Sequence, residues 1–351
     1  MKKLFVFITI ILTIISYGDE IVYYKTNFLG IEITNGAFYN APEMPVSFSQ
    51  SERQERTEVE VQIPPATLSL LWNEGSREIL VVPGLDLYIN KDPYPYQKRF
   101  KKSLLDVLKD LKLKAKVFFY QYPSEFESLW DSAKRLTELA SSLNLKDLYV
   151  IAHSKGGLVV RAALLNESFR SKVKKVVFLA TPHLGTPLAD ALIVPPDSFK
   201  THFGVSDREA EDLKMALALS YSAGYVNSPG SRELSWKNPT LPPLENYEGI
   251  QFTFVAGMVN VKTLEDIEKY LNVNLTPPHF GPFFGLFYLS AVSDIIISKS
   301  EEFAATDGLV PVRSALALGK LKGRKILIYG ANHASFVYRK DLLKRALIDG
   351  F

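Results

Sequence analysis

Short runs of β-branched and apolar residues alternate along the middle of this chain with longer, amphipathic stretches. In the longer stretches the apolar residues recur at three- and four-residue spacing. The first kind reads as strands buried on both faces, the second as helices with one apolar side. Strands are predicted at 78–82, 116–120, 147–151, 174–179, 251–255 and 325–329. Helices are predicted at 97–111, 124–143, 158–165 and 341–348. Strand and helix in turn imply an α/β fold, a mostly parallel, doubly wound sheet covered on both faces. Upstream, residues 20–69 mix β-branched, aromatic and polar positions, with strict alternation over 57–63. That segment reads as a few strands leading into the main sheet and packed on one edge.

Two segments break the alternation. Residues 189–249 join two predicted strands and contain an amphipathic stretch at 207–219. Residues 258–304 contain the run from Pro277 to Tyr288, with Phe283 and Phe284 at its centre. Long connections in a compact domain are usually functional, and these are expected to form a cap or lid. The organisation expected is a leader at 1–18, a β-rich lead-in at 19–75 and a main domain at 76–351 carrying both insertions.

The leader follows from Lys2 and Lys3, the twelve-residue apolar run from Leu4 to Ile15, and the small residues Ser16 and Gly18. The run is short of the roughly 20 residues that span a bilayer and fits a signal peptide cleaved after Gly18. Removal takes two lysines and no acid, so the net charge falls from +3 to +1. Export to the periplasm or the medium is the expectation. The chain has no cysteine, which excludes disulfides and a cysteine-linked lipid anchor. At 351 residues, 47% hydrophobic and 23% charged, it has globular composition. The small net charge and the lack of a basic stripe argue against dedicated nucleic-acid binding. Lys172 to Lys175 reads as a solvated loop. Nothing in the sequence bears on oligomeric state.

The chemistry centres on Ala152-His153-Ser154-Lys155-Gly156-Gly157, set between a predicted strand and a predicted helix. A serine in that setting sits on a strained turn with its hydroxyl presented at the carboxyl edge of a sheet. The flanking Ala152 and Gly156 are small, as expected where backbones nearly touch. Such a serine needs a base, and the base needs an acid. Of the five histidines, only His333 lies near the carboxyl end, between a predicted strand and a predicted helix. Asp307, in Thr306-Asp307-Gly308-Leu309-Val310-Pro311, is the acid expected, with Asp294, Glu301 and Glu302 as rivals.

These segments resemble bacterial α/β-hydrolases of the lipase and esterase type. The resemblance rests on Val82-Pro83-Gly84-Leu85, on the Ser154 segment, on Ala180-Thr181-Pro182-His183-Leu184-Gly185-Thr186-Pro187, on Asp307 to Pro311 and on Asn332-His333. It implies the α/β-hydrolase fold with cap or lid insertions, and catalysis by Ser154, His333 and Asp307. It also implies an oxyanion hole made by the backbone N–H groups of Lys155 and Leu85. The family often has His-Gly where this chain has Pro83-Gly84. His183 reads first as structural, though it could line the substrate pocket with Phe283 and Phe284. Strand alternation points His153 away from the nucleophile into packing. His202 and His279 carry no motif.

Taken together, the sequence predicts a serine hydrolase of carboxylic esters acting through an acyl-enzyme, on a lipid or other acyl ester. Transient contact with a lipid surface is expected of the aromatic insertion. No metal site and no organic cofactor is expected. A thioesterase or amidase would use the same residues, and a non-catalytic lipid- or membrane-binding protein is the rival from another class.

Overall fold

The computed structural model describes residues 21–28, 31–38, 65–86, 94–211, 214, 228–258 and 305–344. The leader, the alternating segment 57–63, the aromatic run with Phe283 and Phe284, and the rivals Asp294, Glu301 and Glu302 lie outside them. The same holds for most of the 258–304 insertion and for residues 345–348 of the last predicted helix.

Strands β1 (Ile21–Phe28) and β2 (Ile31–Phe38) pair antiparallel as a two-stranded sheet. The main sheet contains β3 (Thr67–Asn73), β4 (Arg77–Val82), β5 (Ala115–Gln121), β6 (Leu148–His153), β7 (Val173–Leu179), β8 (Gln251–Met258) and β9 (Arg324–Tyr329). Their spatial order is β3-β5-β4-β6-β7-β8-β9. Only β3 runs antiparallel, at the edge beside β5. The expected lead-in therefore donates this edge strand to the main sheet. From β4 the chain crosses outward to β5, then returns to the other side of β4 and proceeds to β9. Strand order reverses between β4 and β6, and a crevice opens at the carboxyl ends of strands at such a switch point. The register brings those ends level: Val82 pairs with Ala152, and His153 with Leu179.

Helix α1 (Pro95–Asp110) packs on one face of the sheet, with Phe100, Leu104 and Val107 against Ile79, Val81 and Phe119. Helices α2 (Leu129–Ser142) and α3 (Lys155–Ala163) cover the other, with Leu136, Ala140 and Val159 against Leu80, Val150 and Phe178. Neighbours along one strand thus feed opposite cores, as the two-residue period requires. With its elbow between β6 and α3, this is the α/β-hydrolase fold.

Two boundaries moved for clear reasons. Helix α2 starts at Leu129 rather than 124, because residues 123–127 form a turn closed by Phe126 and Glu127 N–H on Pro123 O. Ser128 then caps the helix, its Oγ accepting from Asp131 N at 3.0 Å. Helix α3 starts at Lys155 rather than 158, since Gly156 and Gly157, which look like turn residues in sequence, form its first turn.

Candidate active site

Ser154 lies between β6 and α3 with φ 52° and ψ −132°. A non-glycine residue there is strained, and such strain persists only where the surroundings enforce it. Three close contacts do so here. Ser154 N–H donates to Leu179 O on β7 at 2.9 Å. A side chain on Gly156 would strike Val82 O and Pro83 O at the end of β4, and one on Gly84 would strike Ser154 itself. The glycine after the serine is therefore required by the neighbouring strand β4.

The structure brings Ser154, His333 and Asp307 into one hydrogen-bonded line. His333 Nε2 is 2.8 Å from Ser154 Oγ, and His333 Nδ1 is 2.8 Å from Asp307 Oδ2. Asp307 is 1% exposed. Its other oxygen, Oδ1, accepts from Leu309 N at 2.9 Å and Val310 N at 2.8 Å. Those bonds close the Asp307 turn on itself, and a backbone bond from His333 N to Asp307 O at 2.9 Å holds it against the His333 loop. Because Asp307 can only accept when ionised, His333 carries its proton on Nδ1 and leaves Nε2 to accept from the serine hydroxyl.

The Thr-Pro-His segment braces the acid loop. Thr186 Oγ1 donates to Leu309 O. Ser314 Oγ accepts from Leu184 N at 2.9 Å and donates to Gly185 O at 2.8 Å. His183 is correspondingly absorbed into the core. It is 1% exposed, edge-on to Phe178 and Phe254 with ring centroids 4.7 and 5.2 Å away. Arg161, also buried, donates to its carbonyl at 2.9 Å and reaches its Nδ1 at 3.3 Å. Burial, helped by that guanidinium, holds the His183 imidazole well below its ordinary pKa. The expected contact of His183 with substrate is thus corrected to core packing.

The turn after β4 carries the other expected donor. Tyr122 OH donates to Pro83 O at 2.9 Å, and Asp86 N donates to Ser124 Oγ at 2.6 Å. The Asp86 carboxylate accepts from Tyr96 N at 3.0 Å and Gln97 N at 2.8 Å, which ties the turn to the first turn of α1. Leu85 is half-buried, and its side chain packs on Leu158, Ala189 and Leu234. Lys155 is the first residue of α3, where a helix leaves its N–H groups without intrahelical partners.

Three features of this site were not read from the sequence. The Lys155 side chain runs inward and is fully buried. Its ammonium donates to Ser124 O at 2.8 Å and Glu127 O at 3.0 Å, and sits 3.4 Å from Glu233 Oε2. Burial outweighs the attraction of Glu233 and pushes its pKa down to about 8. Second, the packing of His153 is against the site itself: its ring centroid lies 4.9 Å from that of His333. Third, Tyr96 reaches both His153 and Gly84. The local signal that could have found Tyr96 is Pro95, which opens α1 and fixes the start of the helix that carries it. Among the described residues no group of three or more His, Cys, Asp or Glu side chains could hold a metal ion.

Residues 114–194 match a family described as Domain of unknown function (DUF7379). No curated protein matches the chain. Among solved structures it is similar to the mature form of a lipase from Bacillus licheniformis, at 16% identity and a TM-score of 0.46, over 81% of this chain and 98% of that one. A carboxylesterase from Bacillus subtilis matches at 10% identity and 0.42, over 83% and 89%. A bromoperoxidase from Bacillus anthracis matches at 13% and 0.37, over 94% and 98%.

Proposed function

We propose that this protein is an exported serine hydrolase of carboxylic esters, with a lipid or other acyl ester as substrate. The observation that carries the reading is the unbroken line Asp307–His333–Ser154, ending on a serine held in a strained turn. In the first half-reaction His333 Nε2 takes the Ser154 proton as Oγ forms a bond to the ester carbonyl carbon. The alkoxide of the alcohol then leaves with that proton, giving an acyl-enzyme. Water reverses the sequence, with His333 again as base, and frees the acid. Asp307 keeps the imidazole oriented and stabilises its cation. Lys155 N–H and Leu85 N–H meet the developing oxyanion, each donor worth about 3 kcal/mol of barrier. From the sequence alone, Phe283 and Phe284 are assigned to the acyl chain. Export rests on the basic and apolar leader, and no cofactor is required by these steps.

A p-nitrophenyl ester series from acetate to palmitate, run on the mature chain and on Ser154→Ala, tests the reading. Turnover that disappears in the variant supports it, and the preferred chain length separates esterase from lipase. A folded protein inert to every ester and unlabelled by a fluorophosphonate overturns it. Labelling without ester turnover redirects the substrate to an amide or thioester.

A further inference from the structure

Behind the serine, Tyr96 and His153 form a buried polar link between two parts of the site that lie far apart in sequence. The Gly84 N–H donates to Tyr96 OH at 3.1 Å. Tyr96 OH lies 2.5 Å from His153 Nδ1, and His153 Nε2 lies 3.1 Å from His333 O. The chemistry of the groups orders the donors and acceptors. A carbonyl only accepts, so His153 Nε2 carries the proton. The ring is neutral, because full burial beside His333 holds its pKa well below the ordinary value. A neutral ring with its proton on Nε2 leaves Nδ1 as acceptor, so Tyr96 must donate its hydroxyl proton there. The Tyr96 oxygen is then the acceptor that Gly84 N–H meets. The link runs in one direction, from Gly84 through Tyr96 and His153 to the main chain of His333.

We propose that Tyr96 and His153 are positioning residues for ester cleavage, holding the oxyanion-side turn at Gly84 in register with the base His333. The inference rests on the hydrolase reading above and adds residues to it. Gly84 abuts Ser154, so a small shift of the turn moves the N–H groups that meet the oxyanion. Gly84 N–H is itself taken by Tyr96, which leaves that role to the next amide, Leu85. Proline at 83 brings no side-chain donor or acceptor to the turn. Tyr96 supplies the missing tie from α1, where Asp86 already fixes its backbone. Phe100 and Phe336 pack on the His153 ring, with centroids 5.7 and 6.3 Å away.

The test compares wild type with Tyr96→Phe and His153→Gln, each titrated for active sites so that rates are per folded centre. Tyr96→Phe keeps the ring and deletes the hydroxyl. His153→Gln can keep the donor to His333 O and covers the case in which Tyr96→Phe fails to fold. On p-nitrophenyl butyrate, kcat of Tyr96→Phe is expected to fall by about 10- to 100-fold with KM little changed, as for a misplaced oxyanion donor. The rate of Ser154 labelling by a fluorophosphonate falls by the same factor, since the phosphoryl oxygen uses the same donors. A purely structural residue would lower the count of active sites and leave the rate per site alone. Folded Tyr96→Phe with wild-type kcat and labelling rate overturns the inference while the hydrolase reading stands. Wild type that neither turns over nor labels overturns the hydrolase reading instead. Independently of any substrate, 15N NMR of the wild-type histidines reads the link directly: a neutral His153 protonated at Nε2 supports it, and one protonated at Nδ1 overturns it.

Discussion

The ammonium of Lys155 and the carboxylate of Glu233 meet 3.4 Å apart, the lysine fully buried and the glutamate at the rim of the fold. Glu233 also accepts from Leu129 N at 2.8 Å, and Gly230 N donates to Glu125 O at 3.0 Å. The residue after the serine thus fastens α2 and the segment 228–234 to the elbow. The folded pKa is about 8 against an ordinary 10.5. Between those values the unfolded chain keeps a proton that the folded chain has released. Stability should therefore rise with pH from about 8 to 10.5, by up to about 1.4 kcal/mol per unit from this group. Urea unfolding of wild type and Lys155→Met across that range checks it: the slope difference belongs to Lys155, and equal slopes would show an ordinary lysine.

Two buried histidines act at the other end of the pH scale. His153 and His183 are held neutral in the fold by burial, well below the usual 6.5. The unfolded chain takes up protons there as pH falls below about 6.5, and the folded chain does not. Stability is full above that pH and declines beneath it, by up to about 1.4 kcal/mol per unit for each ring. His183→Gln should flatten the acid limb of the unfolding free energy between pH 6.5 and 5. An unchanged limb would mean that His183 titrates equally in both states.

Asp307→Asn retains the shape of the acid loop and alters the proton it offers His333. The amide can donate toward Nδ1 and so favour the wrong tautomer. Turnover should fall by about 10⁴ with little loss of stability. Steady-state kinetics beside thermal unfolding distinguishes this from a folding defect. Near-full activity would move the acid to another carboxylate, with Asp294 first.

Gly156→Ala adds one methyl group against two carbonyls, Val82 O and Pro83 O, neither of which is a flexible side-chain end. The backbone of β4 or of the elbow must shift. A cost of about 1–3 kcal/mol is expected, with activity falling further than stability because the displaced turn is the one at Gly84. Urea midpoints and active-site titration together read both effects.

Much of this protein is legible in its residue order. The unbroken apolar run Ile79 to Val82 and the helical spacing in α1 and α2 are local consequences of which faces must be dry, so these elements emerge from pattern alone. Ser154, His333 and Asp307 could be nominated because each sits in a loop whose small or turn-forming neighbours mark it. Side-chain direction at the site was less accessible. Alternation assigned His153 to packing away from Ser154, yet could not show that its ring lies against His333. Residue order likewise did not show that two carbonyls and Glu233 draw the Lys155 ammonium inside.

By itself, the sequence determined the strands of the α/β alternation, the strand–turn–helix at Ser154 and the candidates His333 and Asp307, because these depend on residue type and on neighbours within a few positions. Tertiary structure alone decided that Gly156 is small for the sake of β4, that the Thr-Pro-His segment braces the Asp307 loop, and that Tyr96 joins Gly84 to His153. Each of those relations connects residues far apart in sequence, which become neighbours only when β6 pairs with β4 and β8 with β7 in the folded sheet.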